Sequence, residues 1–161
     1  MESARKEAEK LGAFIAAGTS PYHAVREAEK LLTENGFIEL KEDGRFAIEA
    51  GKSYFIQRGG SALIAFRVPK AVWKGLSIIA SHTDSPAFRI KTNPEIQKGP
   101  YTVLNTEGYG GMLMAPWFDR PLSVSGRVAV STAHGIEIKL YDSGRDLLMI
   151  PSLAIHMDRK A

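Results

Sequence analysis

Apolar residues along the first third of the chain recur at helical spacing. Leu11, Phe14 and Ile15 fall on one side of a charged run over residues 2–17, and Gly18 follows as a stop. A second helix is predicted over residues 21–35. Ser20 is a suitable N-cap, Pro21 fits the first helical position and Gly36 stands where a C-terminal glycine belongs. Its buried stripe is Tyr22, Val25, Ala28, Leu31 and Leu32. The period then shortens to that of strands. Residues 37–40 and 53–58 are strand candidates separated by a polar turn at Asp43-Gly44, and Gly59-Gly60 turns the chain into a third strand over 61–68. Leu76-Ser77-Ile78-Ile79-Ala80 is a short, nearly continuous apolar run, which predicts a strand buried on both faces.

After residue 92 the helical pattern stops. Thr92-Asn93-Pro94 and Gly99-Pro100 predict a linker, and the strand candidates beyond it are 101–105, 122–132, 136–141 and 147–150. Residues 151–161 predict the first turns of a helix, with Leu153, Ile155 and Met157 as its apolar positions. Two helices, then strands, then a β-rich stretch imply an α/β arrangement. The buried run at 76–80 ends directly in Ser81-His82-Thr83-Asp84-Ser85-Pro86. The polar end of a central strand is where such sheets place their chemistry.

Composition narrows the function classes. The 161 residues are 44% hydrophobic and 24% charged, ordinary globular usage. Without cysteine, a disulfide scaffold, a thiolate metal site and a cysteine nucleophile are all excluded, and a reducing compartment is suited. The net charge of +3 comes from charges of both signs spread along the chain, which predicts no nucleic-acid partner. No apolar run approaches the roughly 18 residues of a membrane span, and the charged N-terminus lacks a signal core. A soluble, cytoplasmic protein with no membrane partner is expected.

His82 and Asp84 are the candidate chemistry. Neutral imidazole is a common metal ligand, and a carboxylate that takes the other ring N–H fixes its tautomer and orientation. Two positions apart on extended backbone, both side chains leave the same face. The competing reading is a polar loop in which Asp84 caps a turn and Pro86 stiffens it. Of the other histidines, His23 reads as structural or exposed, His134 as a turn residue and His156 as a packed or interface residue. Trp117-Phe118-Asp119-Arg120 reads either as a binding platform or as an Asp–Arg pair pinning a loop over buried aromatics. A catalytic zinc takes three protein ligands, so one His and one Asp make part of a metal site, and they suit zinc, cobalt or manganese alike.

Four blocks in order resemble the aspartyl aminopeptidase family of zinc metallopeptidases. They are residues 20–25 (Ser-Pro-Tyr-His-Ala-Val), 81–86, Tyr109-Gly110-Gly111 with 117–122 (Trp-Phe-Asp-Arg-Pro-Leu), and 150–159. The resemblance implies a two-zinc exopeptidase, other divalent metals being possible, that removes N-terminal Asp or Glu from peptides. On it, His82 is a zinc ligand, Asp84 the carboxylate that orients it, and His156 a residue reaching the active site of a neighbouring subunit. It also implies a fold in which residues 1–92 form the N-terminal part of an α/β peptidase domain and 93–161 begin a β-rich inserted dimerisation domain, within a homo-oligomer. The family's remaining ligands and its Glu-Glu pair have no counterpart in these residues. The chain is therefore expected to be an incomplete N-terminal fragment, inactive alone. The alternative expectation is a non-catalytic oligomerisation or regulatory module derived from such a peptidase.

Overall fold

A computed structural model describes residues 2–157. Helix α1 (Glu2–Ala17) and helix α2 (Pro21–Glu34) form where the periodicity places them. Ser20 caps α2 from extended backbone, accepting the His23 N–H on its hydroxyl at 3.4 Å. Seven strands follow: β1 (Ile38–Glu39), β2 (Ser53–Arg58), β3 (Ala62–Arg67), β4 (Ala87–Lys98), β5 (Tyr101–Tyr109), β6 (Ser125–Thr132) and β7 (Gly135–Asp142). They are arranged as a three-stranded sheet in the order β1-β2-β3 and two separate hairpins, β4-β5 and β6-β7. β1 runs parallel to β2, and β2 and β3 are antiparallel with Tyr54 opposite Phe66. The turn between β2 and β3 holds Gly59 and Gly60 at φ of 60° and 72°, a left-handed pair that glycine adopts without a Cβ clash.

The chain divides into two compact units. The first comprises Met1–Asp84 and Ser125–Ser143. In it α2 packs on all three strands of the small sheet and on β6. Val25, Tyr54 and Phe55 are buried to 3% exposure or less, and His23 joins them as a buried polar residue. Tyr54 completes its burial with a hydrogen bond, its hydroxyl accepting the Glu49 N–H at 2.9 Å. The β6-β7 hairpin is fixed to this core by polar contacts. Arg127 donates to the Gly59 carbonyl at 2.9 Å and lies over the Tyr22 ring, and Thr19 donates to Asp142 at 2.6 Å.

The second unit comprises Ser85–Val124 and Gly144–Ala161. It is built on the long β4-β5 hairpin, with Trp117 standing edge-on to Phe88 at 5.5 Å between ring centroids. A single 3-10 turn, Ala115–Trp117, leads into short bridges of Phe118 with Ile150 and of Leu122 with Leu148.

Four predictions from the sequence are corrected. Residues 76–80 form no strand, and Ile78 and Ile79 stand 78% and 99% exposed. A strand exists only when another edge takes its backbone groups, and no described strand pairs with this run. The linker at 92–100 is instead β4 and its turn. A register shift between Ile90 and Glu95 absorbs Asn93, at φ 52°, and Pro94, which lacks the N–H a regular ladder needs. Residues 147–150 make isolated bridges and no strand. Residues 151–157 hold only a turn, closed by Met157 N–H to the Ala154 carbonyl at 2.8 Å, where a helix was predicted; the rest of that prediction lies outside the described residues.

Phe55→Ala is expected to lower the unfolding free energy by about 3 kcal/mol or more, because it empties part of a very small core. Ile79→Ser should leave stability within about 0.5 kcal/mol, since its side chain touches almost nothing. Urea denaturation of the two variants checks this contrast, and equal losses would place the core elsewhere.

Candidate metal centre

The segment 81–86 carries His82 and Asp84 in the first unit. Thr83 ties it down, donating from Oγ1 to the Ser61 carbonyl at 2.6 Å, directly before β3. On either side of Thr83 the two candidate side chains turn to one another, with His82 Nδ1 3.0 Å from Asp84 Oδ1. An ionised carboxylate can only accept, so this contact requires a proton on Nδ1, and in the neutral ring it is Nε2 that carries the lone pair. The His82 side chain is 89% exposed and that of Asp84 31%. The pair thus presents an oriented imidazole nitrogen at the surface, the form in which histidine binds a metal.

The donor set fits one ligand and its orienting carboxylate. No group of three or more His, Cys, Asp or Glu side chains that could hold a metal ion occurs among the described residues. His156 lies in the second unit, exposed on the turn after Ser152. His134 is a turn residue, as predicted, its N–H bonded to Thr132 Oγ1 at 3.2 Å. An open cleft of about 440 Å³ beside α2, lined by Tyr22, Arg26, Glu29 and Arg127 among others, includes none of the three site candidates.

Asp119 pairs with Ser152, whereas one of the two readings of residues 117–120 pairs it with Arg120. It sits at φ 54°, and its carboxylate accepts the N–H of Ser152 at 2.9 Å and the Ser152 hydroxyl. Those two bonds, the hydroxyl's first, hold its carboxyl below the usual aspartate pKa. Sequence reading singled out Asp119 but missed Ser152, because a partner 33 positions away leaves no local spacing to read.

The description "Aminopeptidase I zinc metalloprotease (M18)" belongs to the family model that matches residues 14–161. The chain belongs to the M18 family. A probable M18 family aminopeptidase 2 from Clostridium acetobutylicum is 46% identical over 99% of this chain, which spans 38% of that relative. Among solved M18-like structures, an Ape4–Nbr1 complex is 40% identical with a TM-score of 0.91, over 98% of this chain and 31% of that one. The S. cerevisiae mApe1 dodecamer is 29% identical with a TM-score of 0.84, over 96% and 37% respectively. The chain therefore spans about a third of the length of the M18 proteins it matches. Within it, the mixed helix and strand architecture predicted from the pattern is the M18 one.

His23, in the first of the motif blocks, is 2% exposed, with Ser20 Oγ 2.7 Å from its Nδ1. Burial, and then the Arg26 charge, push its pKa below the ordinary 6.5, against the opposing pull of Asp142 and Glu27. The folded state therefore binds this proton less readily than the unfolded chain does. The stability it contributes is present above the unfolded pKa and is lost as pH falls through the lower folded one. Denaturation midpoints between about pH 5 and about pH 7.5 should rise more steeply in the native chain than in His23→Gln. Parallel curves would remove His23 from the acid response.

Proposed function

We propose that this chain supplies part of the active site of a zinc-dependent aminopeptidase that removes N-terminal Asp or Glu from peptides, acting as a homo-oligomer in the cytoplasm. The observation that carries this reading is the His82–Asp84 contact in a chain of the M18 family. His82 would hold zinc through Nε2, while Asp84 keeps the proton on Nδ1 and the ring plane fixed. A bound zinc supplies Lewis acidity and a water acidic enough to be activated near neutral pH. His156 is assigned to a neighbouring subunit's site, where an imidazole N–H can donate to oxygen that becomes negative during acyl transfer. Residues 1–92 are assigned to the peptidase domain and 93–161 to the beginning of the dimerisation domain.

Several features support the finer points. The four ordered sequence blocks favour acidic N-terminal residues as substrate. Homo-oligomerisation is favoured by the dodecameric assembly of the similar mApe1 structure. It is favoured also by large apolar side chains such as Leu113 and Leu153, 82% and 63% exposed. A chain with no cysteine, in which no described helix is long and apolar enough to cross a membrane, suits the cytoplasm. The 161 residues by themselves are proposed to lack hydrolytic activity, since one ligand and its orienter cannot hold a catalytic zinc.

The test is made on a full-length protein carrying this sequence. His82→Ala should abolish release of N-terminal Asp and reduce bound zinc, and Asp84→Asn should cost about 10–100-fold in activity or metal affinity. Unchanged zinc content and turnover in His82→Ala would end the assignment. Equal turnover of peptides beginning with Asp, Glu and Leu would end the acidic preference. Peptide hydrolysis by the 161-residue chain would overturn its proposed inactivity. If the full-length protein hydrolyses none of them, the non-catalytic module becomes the better reading.

A further inference from the structure

The Trp117–Arg120 motif has no part in the chemistry described so far, yet its aspartate makes a doubly hydrogen-bonded contact with Ser152, 33 positions away. Backbone bonds first align the two segments. Asp119 N–H donates to the Ile150 carbonyl at 2.9 Å, Leu122 N–H to the Leu148 carbonyl at 2.9 Å, and Leu147 N–H to the Leu122 carbonyl at 2.9 Å. Asp119 then takes a left-handed backbone conformation, φ 54°, which aspartate tolerates better than most residues at a modest energetic cost. In that conformation its carboxylate meets the next residues of the facing segment. Oδ1 accepts the Ser152 N–H at 2.9 Å and Oδ2 accepts the Ser152 hydroxyl, so both oxygens of one anion hold one residue. Two residues later begins the turn that carries His156, closed by the bond from Met157 N–H to the Ala154 carbonyl.

We propose that Asp119 is a positioning residue for His156, its carboxylate clamping Ser152 so that the following turn leaves the unit in one direction. The catalytic half of this inference rests on the proposed role of His156; the clamp itself does not. A histidine that must meet a reacting oxygen elsewhere gains from a fixed point of departure, because misplacement by about 1 Å can cost on the order of 10²-fold in rate. Apolar packing against the described residues gives residues 153–157 little anchorage, since Leu153 and Ile155 are 63% and 75% exposed.

Three substitutions separate a clamp from a backbone corner. Asp119→Gly keeps the left-handed conformation and removes the carboxylate. Asp119→Asn keeps the shape and one acceptor oxygen for the Ser152 N–H, and replaces the other acceptor with an N–H donor to which the Ser152 hydroxyl can turn its oxygen. Ser152→Ala removes only an exposed hydroxyl and cannot by itself unfold the unit. In the 161-residue chain, amide hydrogen exchange over 150–157 should rise about ten-fold in Asp119→Gly, less in Ser152→Ala and least in Asp119→Asn. Exchange in Asp119→Gly equal to that of the native chain would overturn the clamp. In a full-length protein carrying this sequence, Asp119→Gly should lower kcat by about 10²-fold with KM nearly unchanged, and Asp119→Asn should recover most of it. A raised KM at unchanged kcat would overturn the positioning role. If His156→Ala leaves kcat intact, the catalytic role of His156 and the catalytic half of this inference fall together, while the exchange result still decides the clamp.

Discussion

Every backbone N–H and C=O that leaves water must find a partner, and in this chain that requirement decides which apolar segments become structure. β2 meets it on both edges, through β1 and β3, and lies under α2; its Tyr54 and Phe55 are accordingly buried. The run 76–80 is at least as apolar as β2. It has no edge to pair with among the described strands, and its isoleucines remain in solvent. Hydrophobicity supplies the tendency to leave water, but only a neighbouring edge makes burial affordable for the backbone.

The same constraint frames the candidate metal centre. His82 and Asp84 come together through a contact two residues long, which needs extended backbone and little else. Thr83 anchors that backbone to Ser61, so the pair is held at the border of the small sheet even though the run before it is unpaired. A complete metal site is a different kind of object, because its ligands come from several elements and their convergence is a product of the whole sheet. One oriented candidate ligand in a chain spanning 38% of a relative is consistent with that distinction.

Polar contacts carry much of the long-range order where apolar burial is thin. In the first unit, Arg127 reaches the Gly59 carbonyl and the Tyr22 ring, while Thr19 bonds Asp142. In the second, Asp119 grips Ser152. Each joins residues far apart in sequence. Exposed bonds of this kind contribute little to stability individually. Their directionality nevertheless fixes one register among many that hydrophobic contact alone would permit.

Local chemistry was legible in the residues themselves. Ser20 and Pro21 set the start of α2, Gly59 and Gly60 set the β2-β3 turn, and the spacing of His82 and Asp84 set their contact, because each of these depends on a few neighbouring residues. The ordered motif blocks carried the family as well. What the tertiary structure alone decided was pairing. It made strand of the Asn93-Pro94 stretch, whose irregularity β5 accommodates through a register shift, and it denied strand to 76–80. It buried His23 on the inner face of α2, and it gave Asp119 Ser152 as its partner. Turns and caps are short-range and written in adjacent residues, whereas edges, burial and a partner 33 positions away exist only once the chain has closed on itself.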